Sequence, residues 1–223
     1  MPEIRLIEVK EDILSDNKNR ADELRKNLRD KKVFLLNLMS SPGSGKTSFI
    51  LRTVSALKGS IRFGVIEGDI DSIVDAEKVS KEGIPAVQLR TGGLCHLDAA
   101  MIALGLEELD LDSLDAVIIE NVGNLVCPAE FDTGAVKNIM ILSIPEGDDK
   151  PLKYPLMFSV CDAIIINKMD YLAISDFDMA AFRRRVRNLN PHAAVFEISC
   201  KTGSGIEIWS KWLAEEVRKW NKK

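Results

Sequence analysis

The eight residues Ser40-Ser41-Pro42-Gly43-Ser44-Gly45-Lys46-Thr47 restrict what this chain can fold into more than any other stretch. They follow the apolar run Val33-Phe34-Leu35-Leu36-Asn37-Leu38-Met39 and open into Ser48-Phe49-Ile50-Leu51-Arg52, so a strand, a small-residue turn and a helix succeed one another without a gap. A phosphate-binding loop requires that succession. Glycines let backbone N–H groups converge on a phosphate, the helix N-terminus adds its positive dipole end, a lysine adds a full charge, and a hydroxyl can hold Mg²⁺. Gly43, Ser44, Gly45, Lys46, Thr47 and Ser48 are therefore candidate nucleotide contacts. Ser40 stands where the usual pattern has its first glycine. An ordinary Gly/Ser turn is the competing reading, and Gly-Lys-Thr between a buried strand and a helix favours the nucleotide site.

Further along, apolar strands and helical stretches alternate, which predicts an α/β fold: a single doubly wound, mostly parallel sheet of the P-loop NTPase type, with ligands at the strand carboxyl ends. Residues 1–30 form an N-terminal extension and 31–223 the P-loop domain. In the extension, Ile13, Ala21, Leu24 and Leu28 are spaced for one helix face, and the segment from Glu11 to Arg29 reads either as a helix lying on the domain or as a solvated arm. A chain of 223 residues is long enough for one full core. Its net charge of −4, with no basic tract, argues against nucleic acid as a partner. No apolar run approaches membrane-spanning length and no cationic leader precedes an apolar segment, so a cytoplasmic protein away from membranes is expected.

Two strands end in carboxylates. Ile61 to Ile66 runs into Glu67-Gly68-Asp69, and Asp115 to Ile119 into Glu120, followed three residues later by Gly123. An acidic strand end and then a glycine is how a phosphate-loop protein presents a Mg²⁺-associated carboxylate and a backbone N–H that senses the γ-phosphate. Asp69 is a second candidate for Mg²⁺. Asp71 and Asp75, on a predicted helix from Ile70 to Ser80, could position an attacking water; charge at a helix N-terminus is their plainer role, preferred for Asp71. Ala163 to Ile166 ends in Asn167-Lys168-Met169-Asp170. A carboxylate at Asp170 can accept paired hydrogen bonds from the guanine ring N–H and exocyclic amine, which adenine does not offer, so this tetrapeptide selects guanine.

The four cysteines, Cys95, Cys127, Cys161 and Cys200, form no Cys-x-x-Cys pair, and in a reducing compartment they are free thiols. Cys95 stands beside His96 in a Gly-Gly loop from Thr91 to Asp98 ahead of a helix from Ala99 to Leu104; taken alone, the pair is as readily structural as ligating. Cys127 lies seven residues beyond Glu120, where a thiol would move with the loop. Cys161 reads as core. Pro145 to Pro151 reads as a mobile acidic loop, Phe177 to Leu189 as a helix whose Arg183-Arg184-Arg185 lies on a solvated face, Val195 to Ser199 as the last strand, and Ile206, Trp209, Leu213, Val217 and Trp220 as a packed helical stripe.

The stretches Ser40 to Thr47, Glu120 to Gly123 and Asn167 to Asp170 resemble the guanine-nucleotide motifs of the SIMIBI-class metallochaperone GTPases, whose switch motif begins with Glu in place of Asp. With Asn37 to Met39, Glu67-Gly68-Asp69, Cys95-His96 and the segment Glu120 to Pro128, the chain is most similar to the group that inserts nickel during [NiFe]-hydrogenase maturation, from about Ile13 to near its C-terminus. That resemblance implies GTP and Mg²⁺ served by Lys46, Thr47, Asp69 and Glu120; hydrolysis is expected to be slow because no arginine finger or water-orienting glutamine is assigned, and Asp75 is a further catalytic candidate from its position after the second strand. It implies guanine held by Asn167, Lys168 and Asp170, with Ser199, Cys200 and Lys201 as a loop against the base, and Gly123 at the γ-phosphate. It further implies Zn²⁺ or Ni²⁺ on Cys95, His96 and Cys127 at the interface of a GTP-dependent homodimer. The implied partners are a nickel-binding HypA-type metallochaperone and the hydrogenase large-subunit precursor. Some members carry a Cys- or His-rich N-terminal segment; this sequence has none, so no storage site is expected there. The rivals are a chaperone GTPase for urease, although the Cys-Pro-His expected of that type is absent, or one for a cobalamin enzyme. A GTP switch without metal cargo and an ATP-dependent small-molecule kinase complete them. Two thiolates and an imidazole by themselves suit Zn²⁺ or Ni²⁺ far better than Ca²⁺ or Mg²⁺.

Overall fold

A computed structural model describes residues 9–69 and 74–222, with side chains for 14–69 and 75–222. In chain order the elements are α1 (Val9–Asp30), β1 (Phe34–Ser40), α2 (Lys46–Leu57), β2 (Phe63–Asp69), α3 (Val74–Lys81), β3 (Ala86–Arg90), α4 (Ala99–Glu107), β4 (Ala116–Glu120), α5 (Cys127–Glu130), β5 (Lys137–Ser143), α6 (Lys150–Lys153), α7 (Pro155–Ser159), β6 (Ala163–Asn167), α8 (Met179–Leu189), β7 (Ala194–Glu197) and α9 (Ile206–Asn221). The strands form one seven-stranded sheet in the order β3-β2-β4-β1-β5-β6-β7, and every pairing is parallel. The expected fold class is thus observed, with a sheet parallel throughout. The chain fills one side of β1 with β2, β3 and β4 and the other with β5, β6 and β7, so the loop after β1 sits where the winding reverses, the usual ligand position in such sheets.

β1 is buried along its whole length because both its faces are covered. Leu36 and Leu38 point to a layer made by α2, α3 and α9, into which α9 inserts Trp209, Leu213 and Val217. Leu35 and Met39 point the other way, toward α1 and α4 on one half of the sheet and α7 and α8 on the other. The predicted stripe on α9 is buried at all five positions, 9% exposed at most.

The N-terminal segment takes the first of its two readings, a packed helix: Ala21 and Leu28 are buried, and Arg29 lies 3.8 Å over the ring of Trp220, whose Nε1 donates to the Val33 carbonyl at 2.9 Å. Several other expectations are corrected. Ile13 has no described side chain, and Asp71 lies outside the described residues. The predicted helix from Ile70 is described from Val74. The helix starting at Ala99 runs past Leu104 to Glu107, because Gly105 gives close contact instead of a stop; a Cβ there would lie 3.1 Å from Ile66 Cδ1. The segment Pro145 to Pro151 is ordered: Glu146 Oε2 accepts from both the backbone N–H and the hydroxyl of Ser143 at 2.7 Å, closing a capping box. Asp148 there accepts from the Asp178 N–H at 2.8 Å and pairs with Arg185, so that arginine is engaged, while Arg183 pairs with Glu197 on the exposed face where the sequence put all three. α8 begins at Met179, with Asp178 as its N-cap, instead of at Phe177. The last strand spans Ala194–Glu197 instead of Val195 to Ser199. Among the described residues, no helix is long and apolar enough to cross a membrane.

Candidate functional site

The loop after β1 is shaped by two left-handed glycines, Gly43 (φ 76°) and Gly45 (φ 102°). Gly45 has a second constraint, since a Cβ there would lie 2.6 Å from Asn167 Nδ2. It precedes α2 with no side-chain cap, which leaves the first N–H groups of that helix to an anion. Ser40 explains its departure from glycine: it is fully buried, and its hydroxyl accepts from Ser44 Oγ at 2.6 Å and from Lys46 Nζ at 3.1 Å. A glycine would leave the lysine without that anchor.

A cavity of about 380 Å³ opens over the loop, lined by Pro42, Lys46, Thr47, Asp69, Asp75, Glu120 and Gly123 together with Glu67, which the sequence reading passed over in favour of Asp69. Glu67 and Glu120 are register partners on β2 and β4, 3% and 5% exposed. Thr47 Oγ1 donates to Glu120 Oε1 at 3.2 Å, whereas Glu67 Oε1 and Glu120 Oε2 find no hydrogen-bond partner among the described residues. Burial, and then the neighbouring Glu120, push the Glu67 carboxyl up to about 10; burial also raises Glu120, against the pull of Lys46. Two buried carboxyls with orphaned oxygens beside a threonine hydroxyl have the donor chemistry of a seat for a hard divalent cation, which would restore their charged form. Asp75 is paired with Lys78 at 2.8 Å. Gly123 packs so closely that a Cβ would lie 2.9 Å from Pro42 Cγ, which ties the β4 loop to the phosphate loop.

On the other side of β1, a cavity of about 360 Å³ is lined by Gly45, Ser48, Pro145, Asn167, Lys168, Asp170, Tyr171, Cys200 and Lys201. Asn167 holds three segments at once. Its Nδ2 donates to the Ser44 carbonyl at 2.9 Å, and its Oδ1 accepts from the N–H groups of Lys168 at 2.8 Å and Cys200 at 3.2 Å. Lys168 takes a left-handed conformation (φ 60°) that lays its Nζ 2.7 Å from the Gly43 carbonyl. Ser199 Oγ donates to Asp170 Oδ1 at 2.6 Å and, first among the causes, holds that carboxyl below the usual range. Burial raises the Cys200 thiol to about 11, in keeping with a packing role. Cys161 is core, 3% exposed, its thiol donating to the Met157 carbonyl.

Cys95, His96 and Cys127 converge from two loops, and one donor atom from each lies within 4.8 Å of the others. A hydrogen bond joins the two thiols at 2.7 Å, and Cys95 Sγ is 4.0 Å from His96 Nδ1. The thiol contact and burial raise Cys127, and burial lowers His96, favouring its neutral, ligating form. The imidazole is stacked on Phe131, centroids 3.7 Å apart and planes 18° off parallel. Phe131 lies only four residues past Cys127, and an aromatic that close to a donor was the one signal that could have marked it. Two sulfurs and one nitrogen with an open face fit a borderline-soft cation.

Fold and site together define a P-loop nucleotide-binding domain of the GTPase type. A family model for the CobW/HypB/UreG nucleotide-binding domain matches residues 34–197. The chain is 44% identical to the hydrogenase maturation factor HypB of Rhizobium leguminosarum, over 96% of this chain and 71% of that protein. It is 42% identical to the hydrogenase/urease maturation factor HypB of Helicobacter pylori, over 95% of this chain and 88% of the relative. The crystal structure of HypB from Helicobacter pylori in complex with nickel superposes with a TM-score of 0.87 at 40% identity, covering 92% of this chain and 96% of that one. The chain belongs to the HypB family of hydrogenase maturation factors.

Proposed function

We propose that this chain is a cytoplasmic GTP-hydrolysing metallochaperone that binds nickel or zinc through Cys95, His96 and Cys127 and supports nickel insertion into [NiFe]-hydrogenase. The observation that carries the reading is the continuity of one short segment: Glu120 lies in the phosphate cavity, Gly123 packs on the phosphate loop, and Cys127 stands in the metal cluster. Nucleotide state and metal donors thus share a backbone.

Guanine is selected by Asp170, whose Oδ1 is taken by Ser199, within a frame set by Asn167 and Lys168 and closed by Ser199, Cys200 and Lys201. Lys46 and the N–H groups from Gly43 to Ser48 bind the phosphates. Thr47 and Glu120, with Asp69 at the same mouth, hold Mg²⁺, which when bound neutralises charge on the phosphate oxygens. Glu67 completes the acidic lining, and Asp75 is the residue available to orient water. No arginine lines this cavity among the described residues, and its glutamine, Gln88, donates to the Leu89 carbonyl at 3.5 Å, so intrinsic hydrolysis is slow. GTP favours a homodimer, with the partners that family membership suggests, a HypA-type metallochaperone and the hydrogenase large-subunit precursor. Because thiols must lose protons to ligate, metal affinity falls with falling pH.

Size-exclusion chromatography with in-line metal analysis, run on the nickel-loaded protein with GDP and with a non-hydrolysable GTP analogue, tests the reading. Dimer formation and altered nickel retention with the analogue are expected. Identical size and metal content in both states would overturn the coupling, and preferential turnover of ATP would overturn the nucleotide.

A further inference from the structure

The central strands of the sheet carry a file of three asparagines into the otherwise apolar layer facing α1, α4, α7 and α8. Asn37 on β1 is 1% exposed and Asn121, just after β4, is fully buried. Asn37 Nδ2 donates to Asn138 Oδ1 on β5 at 2.9 Å, and Asn121 Nδ2 donates to Asn37 Oδ1 at 3.1 Å. Asn121 Oδ1 then accepts twice, from its neighbour's Val122 N–H at 2.9 Å and from the Leu97 N–H at 3.2 Å. Both donors are backbone amides, so the network fixes which end of the Asn121 amide is oxygen.

Those two peptides belong to different sites. Leu97 follows His96, and Val122 precedes Gly123, which packs against Pro42 of the phosphate loop. One side-chain oxygen therefore ties the peptide beside a metal donor to the peptide beside the phosphate sensor. Of the two side-chain amide links between these loops, this is the shorter. Asn17 on α1 accepts from the Ala99 N–H at 3.0 Å and donates to the Asp132 carbonyl at 2.9 Å, so the far ends of both metal loops are fastened to a helix. The other amide link, Asn124 Nδ2 to the Cys95 carbonyl, is a long 3.4 Å. Buried amides are costly unless paired, and their replacement by apolar groups would suit this layer better if packing were their only purpose.

We propose that Asn121 is the positioning residue through which occupancy of the phosphate site sets the geometry of Cys95 and His96. A shift of Val122–Gly123 toward a γ-phosphate displaces the Asn121 oxygen, and the Leu97 N–H must follow it or lose its partner. The link rests on the functional reading above, that nucleotide and metal are coupled.

The test is the ratio of nickel affinities with a non-hydrolysable GTP analogue and with GDP, measured by competition with a chromophoric chelator on wild type, Asn121→Ala and Asn121→Asp. Wild type is expected to show a ratio of about 5- to 150-fold, and Asn121→Ala a ratio within about twofold of unity while still binding nickel. Asn121→Asp, neutral at this buried position, keeps an oxygen for both N–H groups and an O–H for Asn37 Oδ1, and is expected to keep the wild-type ratio. A wild-type ratio of unity overturns the functional reading and the link with it; a coupled wild type together with a coupled Asn121→Ala overturns the link alone. If Asn121→Ala does not fold, ¹⁵N spectra of the nickel-free wild type decide. The Leu97 and Val122 amide signals are expected to move together between GDP and the analogue, and a Leu97 signal that stays fixed while Val122 moves overturns the proposal.

Discussion

At the tips of β6 and β7 the cleft is lined by side chains that the protein has already satisfied: Asn167 holds three backbone segments, Lys168 rests on the Gly43 carbonyl, and Ser199 orients Asp170. At the tips of β2 and β4, Glu67 and Glu120 each keep a buried oxygen without a partner among the described residues, and two thiols meet at 2.7 Å. The contrast separates two kinds of binding. Under the proposed function, the satisfied end is built before its ligand arrives and works by exclusion, because a base with the wrong donors leaves Asp170 with only its Ser199 partner. The unsatisfied end is incomplete until cations and phosphate arrive, so its geometry changes with what it holds.

The largest expected effect breaks the exclusion. Asp170→Ala should lower the preference for GDP over ADP by about 10⁴-fold, measured by fluorescent-nucleotide competition, with the metal cluster intact. A preference within a factor of ten of wild type would mean that the base is selected elsewhere. Next comes the unsatisfied end. Cys95→Ala and Cys127→Ala should each weaken nickel binding by about 100-fold or more, read by the same competition assay, with guanine selectivity unchanged. Unchanged stoichiometry in both would leave a nucleotide switch without cargo.

Smaller effects sharpen the comparison. Phe131→Ala removes the ring stacked on His96 and should weaken nickel binding about 2- to 10-fold, in line with the worth of one aromatic contact. Ser199→Ala tests the prebuilt end through pH. The Asp170 carboxyl is held below its ordinary value chiefly by the Ser199 hydroxyl, so the charged form that accepts guanine persists above that lowered value and is lost only as pH falls through it. Without the hydroxyl, the acid loss of GDP affinity should move up toward the ordinary carboxylate value near about 4. An acid limb that does not move would deny Ser199 that role.

The two ends also differed in how far the sequence exposed them. Asn167 to Asp170 and the phosphate loop are contiguous, so their spacing alone conveys their chemistry. Cys95, His96 and Cys127 were visible as residue types, but their convergence depends on loops from two strands. Glu67 escaped because alternation puts Glu67 and Asp69 on the same face of β2; only the register against β4 sets Glu67 opposite Glu120 and buries it. Asn37 looks like a polar interruption in an apolar strand and Asn121 like a loop residue after one, and nothing in their spacing says they meet. The segment Pro145 to Pro151 misled through composition: its acidic residues suggest solvation, but Asp148 is spent on α8 and Glu146 on a cap. In each case the deciding contact is long-range, and a one-dimensional pattern does not carry it.

The measurement that bears most directly on the coupling of nucleotide and metal is a closed thermodynamic square. Nickel affinity is determined with GDP and with a GTP analogue, and the affinities of both nucleotides are determined with and without nickel. Coupling through the Glu120–Cys127 segment requires that nickel change the analogue-to-GDP affinity ratio by the same factor, about fivefold or more, by which the analogue changes nickel affinity relative to GDP. Two ratios of unity would contradict it, leaving a guanine site and a metal site that share a sheet edge without sharing free energy.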